Sequence, residues 1–270
     1  MKEIFKTFKP QHLLIKKYVD YYYLDIKPDN SINEFQCFPH FNNTISFYRS
    51  HIRSQNGEII FSNTDLALQI FTPIRQRVLN VIQRGEVHRV VIVFKPLGIQ
   101  QFYKDLNFAN YITSFEFLKE YELQEIFCTT DTDTLALSLD RLLLSRFNHV
   151  ENSILERSIL YIFNNCENFS VAYLSAAIGI SRQHLNRNFQ SFLGVSVKKF
   201  HEIVLFRKTI NNKLFENPKR NFTELAYEFN YNDQSHLNKT YKNFTADSPK
   251  SFFNKGTVLG NQDIFWRLQQ

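Results

Sequence analysis

Ser181–Phe200 reads SRQHLNRNFQSFLGVSVKKF and Asp233–Phe252 reads DQSHLNKTYKNFTADSPKSF, one pattern written twice at an offset of 52 residues. Seven of the twenty positions are identical: His184/His236, Leu185/Leu237, Asn186/Asn238, Phe192/Phe244, Ser196/Ser248, Lys198/Lys250 and Phe200/Phe252. Two segments so alike share one shape. Leu185, Phe189 and Phe192 fall at i, i+4 and i+7, one face of a helix, and Leu237, Tyr241 and Phe244 repeat it. Ser181 and Asp233 are N-cap residues, whose side-chain oxygens accept from free first-turn amides.

Upstream of each copy lies a short amphipathic segment, Val171–Ile178 and Phe222–Phe229. Gly179 follows the first and Asn230 the second, the two residue types that best tolerate the left-handed backbone of a tight helix-to-helix turn. Helix, tight turn and capped second helix make a helix-turn-helix unit. With the apolar faces buried, the opposite faces show Arg182, Gln183, Asn186, Arg187 and Gln190 in the first copy. The second shows Gln234, Ser235, Asn238, Lys239 and Lys242. Apart from the cap Asp233, neither face carries a carboxylate. Arg, Lys, Asn and Gln are the side chains that read guanine and adenine edges or grip phosphates.

Charge agrees once it is located. The chain of 270 residues has a net charge of +6. Residues 1–150 contribute +1 and 151–270 contribute +5, while 170–255 alone carry +7. A local excess of this kind suits a polyanion. Val197–Phe215 reads as one connector helix, and nineteen helical residues span about 28 Å. Successive major-groove faces lie roughly 34 Å apart, so the connector is expected to hold two reading helices on adjacent turns of one duplex.

Residues 152–253 resemble the AraC/XylS family of bacterial transcription regulators. The resemblance rests on Leu174-Ser175 through Gly179-Ile180-Ser181, His184-Leu185-Asn186-Arg187 with Phe189, and Gly194-Val195-Ser196. Arg207 and Leu214 follow on the connector, then Leu225-Ala226 to Tyr231, Leu237, Tyr241-Lys242 and Ser248-Pro249. Three positions depart from the pattern: Asn230 and Ala246 stand where glycines are usual, and Asn211 where alanine is. Ala246 is expected to cost little, given a negative φ. The resemblance implies two DNA-reading subdomains joined by a long helix, fused to a variable N-terminal domain that binds an effector or dimerises. By position it implies base contacts at Gln183, Asn186 and Arg187, and at Ser235, His236, Asn238 and Lys239. Arg182 and Gln234 are implied at bases or backbone. His184 and His236 sit beside buried leucines, so hydrogen bonding within the domain is the alternative for each.

Residues 1–150 read as mixed α and β. A helix is expected over Leu13–Tyr23, strands at Thr44–Tyr48, Glu58–Phe61, Ala67–Phe71 and Val87–Phe94, and a helix over Thr132–Phe147. Val87–Phe94 is almost wholly apolar and reads as buried on both faces. The stripe Leu135, Leu139, Leu142 is read as core packing, with a dimer seam as the alternative. From Ser153 helices dominate to about Phe253, with no strand expected beyond. The fold class is therefore an α+β N-terminal domain (1–150) followed by an all-α DNA-binding domain (151–255) with two helix-turn-helix subdomains joined by a long helix. A tail, 256–270, is left without a role.

Composition excludes several classes. No apolar run approaches the roughly 18–20 residues of a membrane span, and Met1–Lys17 lacks a signal peptide's apolar core. Three dispersed cysteines, Cys37, Cys128 and Cys166, argue against a disulfide framework or Cys-rich zinc site. A cytoplasmic location is expected. No phosphate loop, serine-nucleophile elbow or His-Glu-x-x-His motif is present, so neither an enzyme nor a cofactor is expected. His40 and His51 lack metal-type spacing. The expected partners are double-stranded DNA, RNA polymerase, a small-molecule effector at residues 1–150 and a second copy of the chain. Two alternatives stand beside this reading: a protein-interaction regulator working through its N-terminal half, and an alkyl-acceptor repair regulator using Cys37.

Overall fold

The computed structural model describes residues 3–64, 66–104, 108, 116–259 and 265–269. The N-terminal part runs β1 (Ile4–Phe8), α1 (Leu13–Tyr18), β2 (Val19–Lys27), β3 (Ile32–Cys37), β4 (Asn43–Tyr48) and β5 (His51–Arg53). It continues β6 (Ile59–Phe61), β7 (Leu68–Thr72), β8 (Leu79–Arg84), β9 (Val87–Phe94), α2 (Glu120–Phe127) and α3 (Thr132–Leu144). Then come α4 (Ser153–Asn164), α5 (Val171–Ile178), α6 (Arg182–Leu193), α7 (Val197–Asn211), α8 (Phe222–Glu228), α9 (Gln234–Thr245) and α10 (Pro249–Lys255). Two strands close the chain, β10 (Thr257–Val258) and β11 (Phe265–Gln269).

The strands form two sheets, ordered β1-β2-β9-β4-β7 and β10-β11-β3-β8-β6-β5. Pairing is antiparallel throughout except β6 with β8. Side chains alternate across a strand, and the central pair β2 and β9 shows both faces in use. Tyr22, Leu24 and Ile26 of β2 join Val90, Ile92 and Phe94 of β9 in a core roofed by α1, α2 and α3. Their neighbours Tyr21, Tyr23, Val91 and Val93 point the other way, where Phe5 and Trp266 pack on them. This is why Val87–Phe94 reads as an unbroken apolar run. Leu135, Leu139 and Leu142 are all buried in the first core, which leaves no room for the dimer-seam alternative.

Three expectations are corrected. The helix predicted over Leu13–Tyr23 stops at Tyr18, and Val19–Lys27 is the nine-residue β2. Six of its residues in a row, Tyr21 to Ile26, are buried, so the strand offers no polar alternation to distinguish it from a helix. Strands do occur in the second half: β11 pairs with β3 and carries the tail into the second sheet. The connector is regular for fifteen residues, about 22 Å, and then widens through Asn212–Glu216, where Asn217 N–H bonds the Asn212 carbonyl at 2.7 Å in a π-type turn.

The helices α4 to α10 enclose the third core, built on Leu185, Phe189, Phe200, Phe206, Leu237, Tyr241 and Phe252. Phe38 and Ile74 from the N-terminal half belong to this same cluster. Phe38 meets Phe252 edge-on at 4.7 Å, and Phe41 meets Phe163 at 5.0 Å. Among the described residues no helix is long and apolar enough to cross a membrane.

Candidate nucleic-acid interface

The repeat folds as two matching units. In the first, α5 ends at Gly179 in the left-handed region, φ 81°, and Ser181 caps α6 by accepting from His184 N–H at 3.1 Å. In the second, Asn230 takes the left-handed turn, φ 53°, and Asp233 caps α9 by accepting from His236 N–H at 2.7 Å. Each cap stabilises its helix by about 1 kcal/mol. The duplication extends past the recognition helices, since Ser196 and Ser248 cap α7 and α10. Gly194 and Ala246 both adopt left-handed C-caps, φ 71° and 62°. The condition under which Ala246 would cost little, a negative φ, is therefore not met. Alanine occupies a conformation that costs an L-residue about 1–2 kcal/mol.

Leu185, Phe189, Leu237 and Tyr241 are fully enclosed and Phe244 is buried, while Phe192, which the spacing also placed on the inner face, is half-buried. The outer faces of both recognition helices are open. Arg182, Gln183, Arg187 and Gln190 of α6 are exposed, as are Gln234, Ser235, His236, Lys239 and Lys242 of α9. Asn186 and Asn238 are half-buried at the edges of these faces. Among the described residues Arg182, Arg187, Lys239 and Lys242 join no ion pair or side-chain hydrogen bond. Four cations thus remain available to a polyanion.

Three candidates carry internal contacts. Asn186 Oδ1 accepts from Val197 N–H at 3.3 Å, which ties α6 to the start of α7. The equivalent donor in the second unit would be residue 249, and Pro249 has no N–H. Asn238 therefore keeps its carboxamide free of that contact. Gln234 Oε1 accepts from Thr223 Oγ1 at 2.8 Å, and the His236 ring meets Tyr231 edge-on at 5.2 Å.

The N-terminal half grips the far end of α6. Gln76 and Gln100 donate through Nε2 to the carbonyls of Gly194 and Phe192, and a Cβ at Gly194 would collide with the Phe108 carbonyl. Cys37 is buried, and burial pushes its thiol up despite the opposing pull of Arg75 and Arg89, which disfavours a thiolate nucleophile. His40 and His51 are buried too, and among the described residues no three His, Cys, Asp or Glu cluster as metal ligands.

The helix-based reading missed the space between the two sheets. A cavity of about 190 Å³ lies there, lined by Tyr23, Phe35, Tyr48, Arg75, Arg89 and Trp266 among others. Its signal in the sequence is Arg89, a charge that follows His88 at the head of the apolar run of β9.

Residues 174–255 match the family model described as a helix-turn-helix domain. A curated relative, an uncharacterised HTH-type transcriptional regulator in the cgkA 5′ region of Pseudoalteromonas carrageenovora, is 26% identical over 113 residues. The match covers 38% of this chain and 60% of that protein. Among solved structures, ToxT from Vibrio cholerae aligns with a TM-score of 0.48 at 12% identity, covering 86% of this chain and 97% of that one. ToxT bound to (E)-4-(8-methylnaphthalen-1-yl)but-3-enoic acid aligns at 0.44 and 12%, covering 94% and 99%. Both likenesses are too distant to carry an inference.

Proposed function

We propose that the chain is a sequence-specific DNA-binding transcription regulator of the AraC type, with α6 and α9 reading adjacent major-groove faces. The observation that carries this reading is the pair of exposed, donor-rich helix faces on a duplicated and capped scaffold. In the first unit Arg182, Gln183, Arg187 and Gln190 meet bases and phosphates, with Asn186 at the edge. In the second, Gln234, Ser235, His236, Asn238, Lys239 and Lys242 do so. Residues 1–150 form the controlling domain, which takes a small-molecule effector and pairs with a second copy, and 151–255 form the DNA-binding domain. RNA polymerase is the partner through which binding alters transcription.

The test is binding of the purified chain to its own upstream DNA and to an unrelated duplex at several salt concentrations. Selective binding is expected, with log K falling linearly against log salt as phosphate contacts release counterions. Arg187→Ala is expected to cost about 1–3 kcal/mol on the right site and relax base preference there, while Lys242→Ala weakens all duplexes alike. Equal weak binding to both duplexes would overturn the reading in favour of the protein-interaction regulator.

A further inference from the structure

The side chain of Asn230 is committed outside its own helix-turn-helix unit. The residue holds the left-handed turn between α8 and α9 at φ 53°, a conformation that glycine takes without strain. Its Nδ2 donates to the Glu167 carbonyl at 3.0 Å and to Asn168 Oδ1 at 3.3 Å. Both acceptors belong to the short turn Cys166–Asn168, which joins α4 to α5 in the first unit. The carboxamide therefore bridges the two units.

The acceptor side is firmly mounted. Cys166 is buried in the helical core, and His201 Nε2 of α7 donates to its carbonyl at 2.6 Å. Phe169 stacks on the same ring at 4.3 Å, and Lys208 pairs with Glu167 at 3.4 Å. His201 and Lys208 thus fix the turn to the connector at two places. On the donor side, Asn230 stands three residues before the cap Asp233, so holding it holds the start of α9.

Apart from this bridge, the units share α7 and pack on different stretches of it. Phe189 of α6 meets Phe200 at 5.5 Å, and Tyr241 of α9 meets Phe206 at 5.1 Å. Apolar burial is non-directional, so it keeps the second unit on the connector without setting its angle. The connector also widens into the π-type turn Asn212–Glu216 on the way to α8. A directional bond placed off the axis of α7 closes a ring through both units and sets that angle.

We propose that Asn230 is a positioning residue whose bridge fixes the base-pair separation between the two half-sites the chain accepts. The proposal rests on the DNA-binding reading above and adds to it the residue that selects spacing. One base pair added between half-sites rotates the second by about 34° and moves it about 3.4 Å. The bridge must break, or the duplex must twist, before α9 can follow.

The test begins with the full wild-type chain and a pool of random duplexes about three helical turns long, from which a site with two motifs is selected. Duplexes with one base pair inserted or removed between the motifs are then compared with the selected site. The wild-type chain is expected to lose about tenfold or more in affinity on the altered spacings. In N230G and in N230D that ratio is expected to shrink about fivefold, the worth of one hydrogen bond. Both variants keep the turn, since glycine takes positive φ freely and aspartate has the same shape without the donor. A merely structural defect would weaken both duplexes together and leave the ratio in place. An unchanged ratio in either variant overturns the proposal, as does a wild-type chain indifferent to spacing, and in both cases the DNA-binding reading stands. A wild-type chain that enriches no motif defeats the regulator reading and the proposal with it.

Discussion

Asn186 and Asn238 occupy equivalent places in the repeat, yet their chemistry differs because Val197 has an N–H and Pro249 has none. Asn186→Ala removes a helix-joining acceptor and is expected to lower stability by about 1 kcal/mol in urea unfolding. Asn238→Ala should leave the urea midpoint in place and show its effect only in duplex binding. Gly194 and Ala246 differ in the same way. Ala246→Gly relieves a left-handed alanine and is expected to stabilise by about 0.5–1 kcal/mol. Gly194→Ala destabilises by more, since it also meets the Phe108 carbonyl. His88 gives the pH dependence. Burial, with the nearby Arg49 and His51, pushes its ring down to about 4. The unfolded chain then binds the extra proton first, so stability is full above the ordinary histidine range and falls as pH drops from about 6.5 toward 4. In H88F the loss of urea midpoint between pH 7 and 4.5 should shrink by about one proton's worth; an unchanged slope would assign the dependence to His51 and His201, also held low by burial.

Among the elements, β11 is the one whose removal should be felt farthest from its own position. Its Trp266 covers Phe35 and Arg89, so Trp266→Ala is expected to cost about 2–3 kcal/mol, read from denaturant unfolding. A loss below about 0.5 kcal/mol would mean that the strand is not held as described. The connector α7 behaves differently. Its apolar positions Phe200, Ile203, Val204, Phe206 and Ile210 are buried on several sides, so it is a core helix shared by the two units rather than an exposed spacer. The π-type turn at its end is held by Asn211 and Asn212, whose Nδ2 groups donate to the two Glu216 oxygens at 2.7 and 2.9 Å. Asn211, a departure from the family pattern, thus has a local task.

At the level of the whole chain, the core of the helical part takes in side chains from the N-terminal part. Phe38 and Ile74 are buried among the helices, and Gln76 and Gln100 hold the end of α6. Thermal unfolding is therefore expected as one transition, coincident by far-ultraviolet circular dichroism and by Trp266 fluorescence. Phe38→Ala should lower stability by about 3–4 kcal/mol and shift both probes together. Two separated transitions would show that the contacts between the halves add little. The same contacts reach the C-terminal end of α6 and, through Phe38 and Phe252, α10.

The helix-turn-helix half was legible in the residues because everything that shapes it is local. Caps at Ser181 and Asp233, a left-handed residue at 179 and 230, and an apolar i, i+4, i+7 face each act within one turn or two, and α5, α6 and α9 fall where they place them. The N-terminal half was legible only in part. Strands β4, β7 and β9 announce themselves as apolar runs, but β2 is buried on both faces and has no period to read. Partners for β3, as distant in sequence as β8 and β11, are chosen by closure of a sheet rather than by any neighbouring residue. The cavity, its arginines and the arrival of Trp266 from the chain's end follow from that closure. Long-range strand pairing alone brings residues 35, 89 and 266 together.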